Sequence, residues 1–368
     1  MNCRRATKSY EAWLGKQTRI IQADLALKHR EMSLDVFSFM RATYYRWAQS
    51  WNKCRDDFTK APSLLAVGDL HIENFGTWRD QEGRLIWGIN DFDETSTLPY
   101  TNDLVRLAVS ARLAISAARL KIRPIDASKA ILEGYAKGIA EGGRAYVLSE
   151  RNRWLRSTVM TELRDPTKFW EKLEALPTIR HEVPAKVRKV LEAALPRRKL
   201  GYRLLHRIAG LGSLGRQRIV ALTEWNGGQI AREAKALIPS ACVWAKGQPN
   251  APPHYEEIVS RAIRCPDPFL ELRRGWVVRR LAPDCSRVEL SMLSKDRDEY
   301  KLLLTMGGET ANVHLGSKRA IAKVLRDLKR RPNTWLNQAA KTMSEAVIED
   351  WQDWRRSTRP PGNSVRET

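Results

Sequence analysis

Strand-forming patterns in this chain are confined to two stretches, and helical patterns surround both. The first stretch, TWRDQEGRLIWGIND at 77–91, predicts two short strands around the turn DQEG. The second covers 204–283 and predicts five strands, with one helix at 255–265. Strands and helices that lie in separate runs are typical of an α+β fold with antiparallel sheets. The sequence therefore predicts an α+β chain in which helical regions flank a small sheet.

Helical patterns fill most of the remaining chain. The segment LDVFSFMRATYYRWAQSW at 34–51 predicts one amphipathic helix. Its apolar face repeats every three or four positions and consists of Val36, Phe39, Met40, Tyr44, Trp47 and Trp51. Further helical regions are predicted over 102–160 and 296–356. The last residues, 357–368, are polar and contain two prolines, which predicts a disordered tail.

The chain is strongly basic, with 64 Lys and Arg against 42 Asp and Glu and a formal net charge of +22. Such an excess favours an anionic partner: nucleic acid, nucleotide phosphates or a membrane surface. Composition does not choose among them. No uncharged apolar run is long enough to span a bilayer, and the N-terminus has no apolar signal region. With five widely spaced cysteines, these features predict a cytoplasmic protein with reduced thiols.

Acidic side chains crowd into GDLHIENFG at 68–76 and INDFDE at 89–94, although the chain is otherwise basic. A divalent cation relieves the repulsion among such carboxylates, and Mg²⁺ prefers carboxylate and amide oxygens. Asn74 would supply the amide oxygen, and Asp91 or Asp93 the carboxylate. Asp69 would then be free to orient or deprotonate a hydroxyl. The remaining polar members of the cluster are His71, Glu73 and Glu94.

An Asp-x-x-x-x-Asn loop followed by a hairpin and another Asp is the phosphoryl-transfer pattern of kinases. GDLHIEN resembles the catalytic loop of aminoglycoside phosphotransferases and choline kinases, and INDFDE resembles their metal motif. GDLHIENFG, NDFDET and DLVRLAVSA are also similar to an uncharacterised bacterial family grouped with the kinase-like superfamily. The resemblance implies that Asp69 is catalytic, that Asn74 and Asp91 bind metal, and that Asp103 braces the loop. At the position before Gly68 this chain has Val67, where many relatives have His.

A glycine-rich segment follows the acidic cluster in the chain, whereas kinases place it before. Its candidate nucleotide-binding residues lie between two predicted strands and are Gly210, Gly212, Ser213 and Gly215. Arg232 or Lys235 would supply the cation for the phosphates, and Glu256 or Glu257 would pair with it. The resemblance thus implies ATP, Mg²⁺ or Mn²⁺, and a circularly permuted kinase-like fold with two lobes. The catalytic lobe would be 1–200, the nucleotide lobe 201–290, and 291–356 would return to the catalytic lobe.

Three other functions are compatible with parts of the pattern. The triplet Asp69-Leu70-His71 occurs in metallophosphoesterases, but these enzymes need further His ligands in motifs that this chain lacks. Net charge and 13 tryptophans are compatible with nucleic-acid binding, although no binding motif accompanies them. A kinase-like protein without transfer activity is the third. His71 is expected to brace its loop, and the acceptor hydroxyl is not identified by the sequence.

Overall fold

The computed structural model describes residues 2–51, 54, 56–161, 165–180, 182–248 and 251–358. Its helices are α1 (Cys3–Gln17), α2 (Gln22–Leu34), α3 (Val36–Ala42), α4 (Tyr44–Ser50), α5 (Asp56–Thr59), α6 (Tyr100–Ser116), α7 (Pro124–Glu141), α8 (Arg153–Val159), α9 (Pro166–Glu174), α10 (Ala185–Ala193), α11 (Ala241–Ala245), α12 (Tyr255–Arg261), α13 (Glu299–His314), α14 (Lys318–Arg330) and α15 (Trp335–Thr358). Its strands are β1 (Ser63–Ala66), β2 (Phe75–Arg79), β3 (Leu85–Ile89), β4 (Ser96–Pro99), β5 (Tyr146–Val147), β6 (Arg203–His206), β7 (Arg218–Trp225), β8 (Gly228–Ala236), β9 (Glu271–Arg273) and β10 (Trp276–Leu281).

The strands form three antiparallel sheets, so the predicted α+β class is confirmed. A five-stranded sheet has the order β6-β7-β8-β10-β9, and its strands are the five predicted from the sequence. The predicted hairpin is β2 and β3, with β5 added at the edge of β3. The pair β1 and β4 brackets the acidic segments. Each acidic segment thus begins at the end of a short, buried strand, β1 for the first segment and β3 for the second.

The largest core joins the N-terminal helices, the hairpin and the closing helices. Helix α13 packs along α7, and α15 packs along α6, although the partners are far apart in the chain. Gly134 and Gly307 allow this close approach, because a Cβ at Gly134 would lie 1.8 Å from the Leu304 carbonyl oxygen. Helices α13 and α15 thus complete the core that holds the first acidic segment, 68–76.

The five-stranded sheet has separate apolar clusters of its own. One joins Val187 and Val190 of α10 to Ile219 and Val278 of the sheet. The other places Leu173 of α9 with Val220 and Leu281. Residues 166–193 therefore pack with the sheet, whereas the sequence prediction had assigned them to the helical region that ends at 200. The period of a helix shows that it has an apolar face, but not which neighbour covers that face.

The helix predicted over 34–51 is divided in two at Thr43. This residue leaves the helical conformation, with φ −120° and ψ 42°, and its hydroxyl donates a hydrogen bond to the Phe39 carbonyl at 2.7 Å. Side chains on all sides of α3 and α4 are buried, among them Phe37 and Tyr45. The prediction of a single amphipathic helix was wrong, because these helices pack between other elements and not on a surface.

The closing helices follow the predicted range closely, since α13 to α15 cover residues 299–358. Among the described residues, every helix is too short or too polar to cross a membrane. Of the predicted disordered tail, residues 359–368 lie outside the described residues.

Candidate functional site

The acidic loop, residues 67–74, is held in place by the carboxylate of Asp103 on α6. This carboxylate is fully buried and accepts hydrogen bonds from the backbone N–H groups of Val67 (2.7 Å) and Gly68 (2.9 Å). His314 on α13 contacts the same carboxylate at 3.0 Å through Nε2. Gly68 has φ +81°, and a Cβ there would lie 2.3 Å from the Glu94 carbonyl oxygen. The Asp103 carboxylate and the close approach at Gly68 therefore hold the start of the loop in place.

Asn74 joins the acidic loop to the second acidic segment, residues 89–94. Its side-chain nitrogen donates to the backbone carbonyls of Asp69 (3.1 Å) and Asp91 (3.0 Å). Its side-chain oxygen accepts the Asp91 N–H at 2.9 Å. The amide thus fixes the spacing between Asp69 and Asp91, and its oxygen retains one lone pair for another partner.

The carboxylates of Asp91 and Asp93 meet the ammonium of Lys235 from β8. Lys235 Nζ lies 3.0 and 2.9 Å from the two Asp91 oxygens and 2.8 Å from Asp93 Oδ2. Burial opposes ionisation of Asp91, but Lys235 outweighs it and lowers the pKa of that carboxyl. Burial and the neighbouring Asp91 raise the pKa of Asp93. The ammonium therefore acts as the cation of this cluster.

The glycine turn, residues 210–215, connects β6 to β7 and lies over Asp69. A Cβ at Gly212 would be 3.0 Å from the Arg41 carbonyl oxygen and 3.5 Å from Asp69 Oδ2. Gly210 and Gly215 have φ of +74° and +94°, which favours glycine at both positions. Ser213 faces inward along the turn and bonds Arg218 at 3.0 Å through its hydroxyl. Glycine turn and acidic loop, about 140 residues apart in the chain, thus line one cavity.

Asp69 is oriented by Arg106, which lies one turn after Asp103 on α6. Both Arg106 Nε (2.8 Å) and Nη2 (2.5 Å) donate to Oδ1 of Asp69. The guanidinium is fully buried and stacks on the rings of Tyr44 and Trp47. Among the described residues, no donor bonds Asp69 Oδ2. Burial raises the pKa of Asp69, and Arg106 opposes that rise. One carboxylate oxygen is therefore fixed and the other faces the cavity.

His71 braces the acidic loop, as the sequence suggested. Its Nδ1 accepts the backbone N–H of Glu73 at 3.2 Å, so Nε2 carries the proton of the neutral ring. Burial and the neighbouring Arg41 hold its pKa well below the usual range. The other histidines that a two-metal phosphoesterase could use lie elsewhere: His206 contacts Asp24, and His254 contacts Glu257. His71 is thus a neutral brace that forms no hydrogen bond with another described histidine.

Two residues predicted for the phosphate site are not brought to it. Arg232 lies on the face of β8 opposite Lys235, where it bonds the Ala194 carbonyl at 2.9 Å and stacks on Phe269. Glu256 is exposed on α12, and Lys235 pairs with the two aspartates instead. Adjacent strand positions point to opposite faces, so Arg232 and Lys235 could not both face the cavity. Glu257 also lies elsewhere, paired with His254 and Arg261.

Arg216 and Glu233 complete the site without having been singled out by the sequence. Arg216 is buried directly after the glycine turn and bonds Asp93 (3.2 Å) and Glu94 (3.0 Å). Glu233, on the same strand face as Lys235, is fully buried among the three guanidinium groups of Arg207, Arg218 and Arg279. These cations hold its pKa well below the usual range despite burial. Only the position of Arg216 beside a glycine turn gave a signal in the sequence.

The oxygen atoms of Asp91, Asp93 and Asn74 suit a hard cation, although Lys235 and Arg216 already contact the two carboxylates. Among the described residues, no group of three or more His, Cys, Asp or Glu side chains is arranged to hold a metal ion. One buried oxygen, Asp93 Oδ1, has no hydrogen-bond partner. An unpartnered carboxylate oxygen beside Asp91 and the free lone pair of Asn74 are what Mg²⁺ or Mn²⁺ would require. Oxygen donors of the type that a divalent metal prefers are therefore present, and Lys235 occupies both oxygens of Asp91.

The cavity between the glycine turn and the acidic loop is small, at about 60 Å³. It is lined by carboxylates, by the turn and by Arg41, Arg216 and Arg287. Pockets for drug-sized ligands measure ~300–1,000 Å³, so a large ligand would enter only if the turn moved away from Asp69. The space is large enough for a few water molecules.

Residues 19–175 match the model of a family described as an uncharacterized protein conserved in bacteria, DUF2252. The expected resemblance to an uncharacterised bacterial family is thereby confirmed. The match includes Asp69, Asn74, Asp91 and Asp103 and ends before the five-stranded sheet. No curated protein and no solved structure matches the chain.

Proposed function

We propose that this protein is an ATP-dependent phosphotransferase that uses Mg²⁺ or Mn²⁺ and acts on a hydroxyl acceptor. The observation that carries the proposal is the meeting of three segments around one cavity. The glycine turn connects two antiparallel strands, and a Cβ placed at Gly212 would lie 3.5 Å from Asp69 Oδ2. Lys235, on the next strand, contacts Asp91. Kinases combine a glycine-rich turn, a strand lysine, a catalytic aspartate and a metal-binding aspartate in this way.

The order of the segments supports a circularly permuted kinase-like arrangement of two lobes. The helical core with the acidic loop comes first, the five-stranded sheet with the glycine turn second, and α13 to α15 return to the helical core. In the sheet, the glycine turn precedes the lysine strand, and α12 lies between β8 and β9. This internal order is that of a kinase nucleotide lobe placed after its catalytic lobe.

The chemistry assigned to the chain follows from the free oxygen of Asp69. The acceptor hydroxyl oxygen forms a bond to the γ-phosphorus while the bond from that phosphorus to the β–γ bridging oxygen breaks, which releases ADP. Asp69 Oδ2 accepts the hydroxyl proton, because Oδ1 is fixed by Arg106 and burial raises the basicity of the carboxylate. Asp91, Asp93 and Asn74 would hold the metal, which when bound neutralises charge on the phosphate oxygens.

The test is incubation of the purified protein with ATP labelled on either the α- or the γ-phosphate, with Mg²⁺ and cell extract as acceptor. Transfer of the γ-label is expected. Replacement of Asp69 by Asn should lower turnover by roughly 10²–10⁴-fold and leave nucleotide affinity near the wild-type value. Transfer of the α-label would indicate adenylyl transfer instead. Nucleotide binding without transfer would indicate a pseudokinase, and no binding of Mg-ATP in calorimetry would refute the proposal.

Binding of nucleic acid is a second candidate function, favoured by the outer face of α14. Six cations on this helix are exposed, and none forms an ion pair with another described residue: Lys318, Arg319, Lys323, Arg326, Lys329 and Arg330. On the opposite face Val324 is buried, and Ile321, Leu325 and Leu328 pack against the helical core, so the apolar side of α14 is engaged within the fold. Exposed aromatic residues for base stacking are absent from α14, which favours contact with a phosphate backbone.

This candidate is tested by fluorescence anisotropy with a labelled nucleic-acid duplex over a range of salt concentrations. Replacing both Lys323 and Arg326 by Ala should reduce the slope of log K against log salt by about two. The matched control is Lys137→Ala, an exposed lysine on α7. An unchanged slope, or no binding at low salt, would contradict the assignment.

A further inference from the structure

Lys28 on α2 is a buried ammonium that has no anionic partner in the part of the chain that the structure describes. Its side chain is 3% exposed, and Nζ donates one hydrogen bond, to the Gly212 carbonyl at 2.9 Å. The face of the Tyr45 ring lies 5.7 Å away. Lys28 forms no ion pair with any residue that the structure describes. An ammonium has three donors, and two of them are not used in hydrogen bonds to the described residues.

Burial of an unpaired cation is costly, and the chain would avoid this cost with almost any uncharged residue. Burial, followed by the nearby Arg216, lowers the pKa of Lys28 to about 8. The carboxylates that act on it from the packed elements do so from a distance and offset this only in part: Glu11, Glu94 and Asp69. The position therefore calls for an anion that the described residues do not supply.

Helix α2 and the segment before it lie along the glycine turn. The Ile21 N–H donates to the Gly215 carbonyl at 2.9 Å, and Leu25 lies within 3.5 Å of where a Gly215 Cβ would be. Lys28 bonds the centre of the same turn. Since the cavity of about 60 Å³ is too small for a nucleotide, the turn would have to move for one to enter, and a movement away from α2 would break the bond from Lys28 to Gly212.

We propose that Lys28 is a phosphate-binding residue of the nucleotide site, which exchanges the Gly212 carbonyl for a phosphate oxygen of ATP when the glycine turn moves. The inference rests on the proposed function. It adds a cation from outside the five-stranded sheet to the one that Lys235 supplies. Because phosphate favours the charged form of Lys28, nucleotide binding above pH 8 should take up a proton at this residue.

The experiment is calorimetry of Mg-ATP binding at pH 7 and pH 8.5, each in two buffers of different ionisation enthalpy. The wild type should take up a large fraction of one proton per nucleotide at pH 8.5 and little at pH 7. Lys28→Met should lose this uptake and bind roughly 10–100-fold more weakly, as expected for loss of a hydrogen bond to a charged group. Lys28→Arg should keep most of the affinity without the uptake, because guanidinium stays protonated.

Lys16→Met, at an exposed lysine of α1, is the matched control and should behave as the wild type. If the wild type binds Mg-ATP but Lys28→Met binds it equally well with the same proton uptake, the role of Lys28 is refuted while the proposed function stands. Should Lys28→Met fail to fold, an equal proton uptake by Lys28→Arg would refute it. Failure of the wild type to bind Mg-ATP would overturn the proposed function and this inference together.

Discussion

Replacement of Asp103 by Asn should destabilise the whole helical core, because this carboxylate accepts four hydrogen bonds. Oδ2 accepts from the Val67 N–H and lies 3.0 Å from His314 Nε2, and Oδ1 accepts from the Gly68 N–H and from Asn102 Nδ2. Whichever way the new amide is turned, its NH₂ group faces two donors. Both of those donors lose their acceptor in a site that water does not reach.

An unsatisfied buried donor costs about 1–3 kcal/mol, so two of them should lower the free energy of unfolding by about 2–6 kcal/mol. That is a large share of the ~5–15 kcal/mol that holds a typical domain together. The assay is urea denaturation followed by tryptophan fluorescence, in which the midpoint should fall and the slope should stay constant.

The matched control is Asp126→Asn, because Asp126 also lies in the first turn of its helix but is partly exposed and, among the described residues, hydrogen-bonds only Arg123. Its unfolding midpoint should equal that of the wild type. A loss of less than about 1 kcal/mol for Asp103→Asn would show that the acidic loop keeps its conformation without this brace.

Three further changes test the rest of the site. Gly212→Val should weaken Mg-ATP binding in calorimetry with the fold retained, because a Cβ would lie 3.0 Å from the Arg41 carbonyl oxygen. The control Gly201→Val, at a position with open space, should bind as the wild type does. Equal weakening in both variants would contradict this prediction. Asp91→Asn should abolish the part of the nucleotide-induced rise in melting temperature that depends on Mg²⁺, and an unchanged rise would remove Asp91 from the metal site. Burial raises the pKa of Glu309 from 4.5 to about 7, so ionising it costs folding free energy as pH rises through this range. The unfolding free energy of Glu309→Gln, relative to the wild type, should therefore increase by up to about 3 kcal/mol between pH 5 and pH 8 in urea titrations, and a flat difference would refute the assignment.

Much of the local structure could be predicted because it depends on near neighbours in the chain. The five strands of the sheet and the hairpin at 75–89 follow from alternation and turn residues, and both are present. The brace by Asp103 was expected from resemblance, and its carboxylate does hold the loop. The break at Thr43 was missed, because burial on all sides removes the one-sided pattern on which helix prediction depends.

The choice between Arg232 and Lys235 shows where local reasoning ends. Alternation along β8 places the two side chains on opposite faces, which could be derived from their spacing of three. Which face meets the acidic segments depends on how the sheet packs against the helical core. Glu233 shares the inner face with Lys235, and three arginines from other strands or turns neutralise it.

The sequence by itself determined the α+β class, the five strands of the larger sheet, the hairpin and the acidic residues with their loop, because each depends on contacts within a few tens of residues. It missed β1, β4 and β5, which lie outside the predicted strand stretches. Tertiary structure alone decided that Arg106 fixes Asp69, that Lys235 lies between Asp91 and Asp93, and that Lys28 reaches Gly212. The last of these pairs lies 184 positions apart in the chain. Such contacts are set by the packing of whole helices and sheets, and a short pattern carries no record of which distant element will cover it.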